Sequence, residues 1–178
     1  MNSARDDLVE TSDYVWQRLR SELVGLTDEE YRWEPVPGCR TVRPFEGGFR
    51  SDGPSPDGAP PEFTTLAWRL CHIADFLTED RNGPWLGQPT TPMSSTGDPG
   101  TAADALAALD AAYGVWQGFL AASTEDSLAE PIGRVAGPYG SATRRSFVLH
   151  MLDELIHHGA EAALLRALWR SGGAATSF

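Results

Sequence analysis

The sequence predicts an all-α fold, a four-helix bundle formed by a single domain over residues 1–178. Apolar residues recur three and four positions apart in four separate segments, as expected for amphipathic helices. No segment shows the alternation of apolar and polar residues that is typical of a half-buried strand. A chain of 178 residues can bury one substantial hydrophobic core. We therefore expect four helices packed around a common core.

A long connection separates the first two predicted helices. The first is predicted over residues 4–25, where apolar residues recur at helical spacing. Residues 27–62 hold seven prolines and many glycines, which predicts a crossover with little regular structure beyond a short turn at TDEEY. The second helix is predicted over residues 64–80, and Thr64 or Thr65 is its expected N-cap.

The last two helices are also bounded by helix breakers. Residues 82–100 are predicted to form a loop because glycines and prolines interrupt them. The third helix is predicted over residues 101–122, with an apolar seam formed by Leu106, Leu109, Tyr113, Trp116 and Leu120. The stretch GRVAGPYG then interrupts the chain. The fourth helix is predicted over residues 142–169, opened by Ser141 and ended by glycines.

The charge and the composition exclude several classes of partner. The net charge is -11, and all 14 basic residues are arginines, so we expect no binding to nucleic acid or to an anionic membrane. No apolar run reaches the roughly 20 residues of a membrane-spanning helix. The segment MNSARDDLVE lacks the basic and apolar regions of a signal peptide, and two cysteines are too few for a disulfide scaffold. We therefore expect a cytoplasmic protein.

Three of the four histidines lie in one stretch of the fourth predicted helix, HMLDELIHHG. On a helical wheel, Glu154 and His158 lie one turn apart on the same edge of the apolar face, where both can contact one ion. His72 lies among apolar residues in the middle of the second helix. Two imidazoles and one carboxylate leave coordination positions open, as in catalytic metal sites. His150 and His157 point further towards solvent, but geometry alone also allows a rival set of His72, His150 and His157.

Other polar residues near these positions have several interpretations. Arg69, one turn before His72, and the inward-facing Arg166 are candidates to bind an anionic group or to form structural ion pairs. Asp75 is a candidate to orient the imidazole of His72. Cys71 is interpreted as a small buried apolar residue, and nothing in the sequence around Cys39 marks that thiol as activated.

The chain resembles the DinB-like bundle superfamily, which includes the mycothiol-dependent maleylpyruvate isomerases. The resemblance is carried by LTDEEYRWEPVPG, LAWRLCHIADFL and DELIHHGAEAALLR, and it extends over essentially the whole chain. It implies a divalent metal ion bound by His72, Glu154 and His158. The order Glu then His on the last helix is that of the isomerase type. We expect the chain to lack the additional C-terminal domain of the isomerases, so the resemblance does not imply the identity of the substrate.

The resemblance also implies a reaction class. We expect a metal-dependent transferase or isomerase that uses a low-molecular-weight thiol of the mycothiol type and a small-molecule substrate. Zinc and nickel are the favoured ions, with iron and manganese as alternatives. Two other functions are compatible with the same ligands, a metal-dependent hydrolase and a non-catalytic metal-binding or stress-related protein. A further alternative is a dimerisation protein of the same fold with a vestigial site, in which exposed apolar residues such as Trp16, Trp85 or Trp116 form the interface. A homodimer is compatible with all of these functions.

Overall fold

Four long helices form the frame of the protein in a computed structural model that describes residues 3–53, 63–91 and 97–173. They are α1 (Ala4–Glu22), α3 (Leu66–Thr78), α5 (Ala102–Ala122) and α7 (Arg144–Leu168). Helix α3 packs on α5, and α7 contacts both α1 and α3. This arrangement confirms the predicted all-α bundle. No helix in the described part of the chain is long and apolar enough to cross a membrane.

Each long helix begins at a side chain that caps its free backbone N–H groups. Ser3 caps α1, Thr65 caps α3 and Thr101 caps α5. Helix α7 begins after Thr143, whose hydroxyl accepts a hydrogen bond from the Ser146 N–H. The capping threonine lies two residues beyond the predicted Ser141. Thr143 forms an antiparallel β-bridge with Pro131, so the chain becomes helical only after this residue.

The crossover between α1 and α3 contains regular structure that the sequence did not predict. It forms a short helix, α2 (Asp28–Arg32), and an antiparallel hairpin of β1 (Val42–Phe45) and β2 (Gly48–Ser51). The prediction of little regular structure is therefore wrong for these residues, while residues 54–62 of the predicted crossover lie outside the described ranges. Glu46 and Gly47 have positive φ angles of 47° and 82° and form the turn of the hairpin.

Two predicted loops also contain short helical segments. Helix α4 (Asn82–Trp85) follows α3 directly. Helix α6 (Glu125–Ala129) and a 3-10 turn (Arg134–Tyr139) lie between α5 and α7. A π-helical turn over Trp169–Gly173 follows α7. Together α4 and the 3-10 turn lie against the first residues of α7, where Trp85 contacts Tyr139 and Phe147.

The tryptophans named as interface candidates are not exposed. Trp116 is fully buried in the core of the bundle. Trp16 is partly buried and stacks on Tyr113 with ring centroids 4.3 Å apart, and Trp85 is also partly buried. The expectation that these three residues present a free apolar surface is therefore wrong, because they fill spaces between elements of the same chain. The homodimer itself stays a prediction.

A buried ion pair joins α7 to the region where α1 ends. The Arg166 guanidinium donates hydrogen bonds to both carboxylate oxygens of Glu30, at 2.6 and 2.9 Å. It also donates to the backbone carbonyls of Glu22 and Val24. The side chains of Arg166 and Glu30 are only 2% and 4% exposed. All three nitrogens of the guanidinium therefore donate hydrogen bonds, and these bonds join α7 to α2 and to the end of α1.

We expect Arg166→Met to destabilise the protein by about 3–5 kcal/mol, because it leaves the Glu30 carboxylate buried without its cation. Urea unfolding followed by circular dichroism would measure the change. The matched control is Arg20→Met, which removes the partner of Asp110 from an exposed pair and should cost about 1 kcal/mol or less. Equal losses in the two variants would contradict a special role for the buried pair.

Candidate metal centre

His72 on α3 and His158 on α7 face each other across the contact between these helices. Their Nε2 atoms are 3.1 Å apart, and the ring centroids are 4.6 Å apart. Trp68 stacks against the His72 ring, and Phe76 contacts it edge-on, so the two aromatic side chains fix its orientation. His158 is 9% exposed. The packing of two helices thus places two imidazole nitrogens at one point.

Glu154 completes a group of three potential ligands. Its Oε2 lies 3.1 Å from the Nε2 of His158, because the two residues are one turn apart on α7. The ligand atoms of His72, Glu154 and His158 all lie within 4.8 Å of one another. Two ligands that are each about 2.1 Å from one ion lie about 3 Å apart at a right angle and slightly farther apart at a tetrahedral angle. The spacing and the chemistry of these donors therefore fit a divalent transition-metal ion.

Glu161 and Arg69 orient His158 from its other side. The Nδ1 of His158 lies 2.7 Å from the Glu161 carboxylate, and the Arg69 Nε lies 3.0 Å from the same carboxylate oxygen. The two contacts of Nδ1 favour opposite tautomers, because Arg69 can only donate to this nitrogen and the Glu161 carboxylate can only accept from it. The tautomer with its proton on Nδ1, donated to Glu161, leaves a lone pair on Nε2, the form in which imidazole binds metals. Glu161 was not among the residues predicted for this site. The signal for it in the sequence is its position three residues after His158 on the same helix.

A second group of potential ligands, formed by His157, His158 and Glu161, lies beside the first. Its position is unfavourable for a cation because the Arg69 guanidinium is 2.9 Å from the Nδ1 of His158. His157 is also the most exposed of the three, with 63% of its side chain accessible. The group of His72, Glu154 and His158 is therefore the better candidate.

The rival set of His72, His150 and His157 is not brought together in the described part of the chain. The Nδ1 of His150 lies 4.0 Å from the Glu154 carboxylate, and the Nε2 of His157 lies 3.4 Å from the Glu161 carboxylate. Each of these histidines therefore lies beside a carboxylate that contacts His158, on the solvent side of α7.

The two arginines proposed as anion-binding groups are held in ion pairs with acidic side chains. Arg166 is in the buried pair with Glu30, far along α7 from the histidines. Arg69 is paired with Glu161 and also donates to the Thr64 hydroxyl. Asp75, which was proposed to orient His72, is exposed. The imidazole that contacts two carboxylates, those of Glu154 and Glu161, is that of His158.

The electrostatic surroundings keep His72 neutral. Burial lowers the pKa of His72 to about 4, and the neighbouring His158 and Arg69 lower it in the same direction. A neutral imidazole is the protonation state that a metal ion requires. The site therefore does not have to release a proton from His72 at neutral pH before it binds a cation.

Neither cysteine is suited to act as a nucleophile. Cys71 is 3% exposed, and burial raises the pKa of its thiol to about 12. Cys39 is 6% exposed, and burial raises the pKa of its thiol as well. At neutral pH both side chains are thiols with little thiolate character. The chemistry of this region therefore rests on the histidines and carboxylates.

We expect the His72 ring to titrate with a midpoint near pH 4 in chelator-treated protein, followed by its NMR ring signals. In urea-unfolded chain the same ring should titrate near the usual value of about 6.5. Because the unfolded chain binds the proton first, His72 should make the folded state less stable as the pH falls from about 6.5 to about 4. A folded-state midpoint near 6.5 would show that the ring is solvated and distant from His158 and Arg69.

Comparison with known proteins identifies the fold and the family. The chain is similar to a conserved protein from Enterococcus faecalis of known crystal structure, with a TM-score of 0.58 and 16% sequence identity. The likeness covers 96% of this chain and 99% of the other, and at this identity it shows the fold. No curated protein matches the sequence. The sequence profile of the DinB superfamily matches residues 12–162, which include all the residues of the candidate metal centre. The chain belongs to the DinB superfamily.

Proposed function

We propose that this protein binds one divalent metal ion through His72, Glu154 and His158 and is a metal-dependent transferase or isomerase that uses a low-molecular-weight thiol. The observation that carries the proposal is the convergence of two imidazole Nε2 atoms and one carboxylate from α3 and α7. Family membership supports it, since the last helix has Glu before His, as in the mycothiol-dependent isomerase type. We propose the use of a small-molecule substrate and of the thiol together with the metal site.

The charge balance of the three side chains favours an anionic additional ligand, either a thiolate or a hydroxide. Two neutral imidazoles and one carboxylate offset only part of the charge of a divalent ion, so one positive charge remains. Such an ion lowers the pKa of a thiol or of water when either is bound to it. The Glu161 carboxylate does not cancel the remaining charge, because Arg69 is paired with it.

The surrounding side chains supply orientation. Trp68 and Phe76 hold the His72 ring, and Glu161 holds the His158 ring through Nδ1. These supports restrict both imidazoles before any ligand arrives, which lowers the entropic cost of binding. The Glu154 side chain is 32% exposed, whereas that of His158 is 11% exposed. Glu154 is therefore the more accessible of the two ligands on α7.

We expect the purified wild-type protein to carry about one equivalent of a divalent transition metal, measured by plasma mass spectrometry on untagged protein. His72→Ala and His158→Ala should each abolish binding, because two protein ligands hold such an ion weakly. Glu161→Gln should weaken the affinity about 10–100-fold, because the carboxamide orients His158 less strongly.

The matched control is His157→Ala, which removes an adjacent histidine on the solvent side of α7 and should leave the metal content unchanged. Thermal unfolding of each variant would exclude loss of fold as the cause. The metal assignment would be refuted by wild-type protein that stays metal-free after incubation with zinc, nickel and manganese. A loss in His157→Ala equal to that in His158→Ala would refute the choice of ligands.

We expect cobalt-loaded protein to develop a thiolate-to-cobalt charge-transfer band when mycothiol is added, because three protein ligands would leave a coordination position at which a thiolate could bind. The S-methylated thiol should produce no band. Transfer of the thiol to an electrophilic acceptor, followed by chromatography, should then require both the metal and His72. Hydrolysis of an activated ester without thiol, in protein that gives no band, would contradict the thiol-dependent reaction and identify a hydrolase.

A further inference from the structure

A cleft lies beside the first turns of α7, one helical turn from Glu154. It has a volume of about 250 Å³. Its walls come from α4, from the 3-10 turn and from α7 itself, and its lining includes Arg81, Trp85, Tyr139, Ala142, Phe147 and His150. None of these residues belongs to the candidate metal centre. The cleft is therefore a separate feature with its own chemistry.

Aromatic rings form much of the cleft wall. Trp85 packs edge-on against Phe147, with ring centroids 5.0 Å apart, and the Tyr139 ring is 6.2 Å from Trp85. Phe147 is buried, while 66% of Tyr139 is exposed at the rim. Such surfaces bind a flat apolar body through burial and ring stacking. A volume of about 250 Å³ accommodates a molecule with one aromatic ring and its substituents.

The cleft also carries one cationic side chain at its edge. The Arg81 guanidinium lies over the Trp85 ring, 4.9 Å from its centroid. Arg81 is paired with Glu79, but both side chains are more than 40% exposed. An exposed pair of this kind contributes little free energy, so the guanidinium can exchange its partner for the carboxylate of a ligand. In a chain with a net charge of -11, such a cation distinguishes this cleft from most of the surface.

His150 connects the cleft to the candidate metal centre. It lines the cleft, and its Nδ1 lies 4.0 Å from the Glu154 carboxylate. His150 and Glu154 are one helical turn apart on α7, a rise of about 5.4 Å, so the cleft and the candidate metal centre are neighbouring sites on one helix. The Glu154 side chain is partly exposed.

We propose that this cleft binds the organic substrate of the protein, a small aromatic carboxylate whose ring lies against Trp85 and Phe147 and whose anionic group pairs with Arg81. The proposal rests on the proposed function for the statement that the bound molecule is a substrate. The binding itself depends only on the cleft. His150 then lies between the bound molecule and Glu154.

The test uses benzoate as probe and its uncharged isostere benzamide as comparison. Zinc-treated wild-type protein would be titrated with each, followed by the NMR signal of the Trp85 indole N–H, assigned with Trp85→Phe. We expect benzoate to bind with a dissociation constant in about the millimolar range, as is usual for so small a ligand. Arg81→Gln should weaken benzoate about fivefold and leave benzamide unchanged.

Two further variants test the wall of the cleft, and one serves as control. Ala142→Leu should abolish binding of both probes by filling the cleft, and thermal unfolding would show that the variant is folded. If it is not folded, Tyr139→Ala removes an exposed ring at the rim and should weaken both probes. Arg134→Gln changes an exposed arginine of the same 3-10 turn that does not line the cleft, and it should change neither affinity.

His72→Ala separates the two proposals. We expect it to bind benzoate as the wild type does, because His72 does not line the cleft. Binding that is lost in His72→Ala but unchanged in Arg81→Gln and in the folded wall variant would place the probe on the metal and overturn the cleft proposal. Benzoate that shifts no Trp85 signal would also overturn it, while metal content would still decide the metal centre. Benzoate in the cleft of a protein that binds no metal would overturn the proposed function alone.

Discussion

The position of α7 is the constraint on which the functional region depends, and the buried pair between Arg166 and Glu30 holds it. Arg166 lies eight residues after His158, which corresponds to about 12 Å along the helix. Its guanidinium is bound by a carboxylate of α2 and by backbone carbonyls near the end of α1. Because these partners surround the cation, a slide or a rotation of α7 would break several charge-assisted hydrogen bonds at once. Because α7 is fixed in this way, His72 is the α3 side chain whose Nε2 contacts that of His158.

His158 is the side chain through which the charges of this region are connected. One ring nitrogen faces His72 and Glu154, and the other faces Glu161 and Arg69. The first side has an excess of negative charge without a cation, whereas the second side is a closed pair of opposite charges. This asymmetry explains why one of the two neighbouring ligand groups suits a metal ion and the other does not. The asymmetry of charge around His158 results from the position of Arg69 on α3, one turn before His72.

The sequence predicted those features that depend on local periodicity. The four long helices follow from apolar residues spaced three and four apart, and the edge shared by Glu154 and His158 follows from the same geometry. The hairpin was missed because Pro44 and the glycines around Glu46 remove the alternation that marks a strand. Glu161 was missed because an acid three residues after a histidine is common on helix surfaces. The role of Glu161 depends on its ion pair with Arg69, which lies on another helix and is brought close only by the tertiary fold.

Helix α7 combines two kinds of surface that a substrate-binding protein needs close together. Its first turns contribute Phe147 to an aromatic cleft, and its middle contributes Glu154 and His158 to a polar centre. His150 lies between them and contacts the edge of both. His150 links the two sites on one helix, so in the proposed binding mode a molecule held against Trp85 and Phe147 would lie on the Glu154 side of the centre. The course of α7 fixes the distance between cleft and centre, and Tyr139 of the 3-10 turn over Arg134–Tyr139 adds an exposed ring at the rim of the cleft.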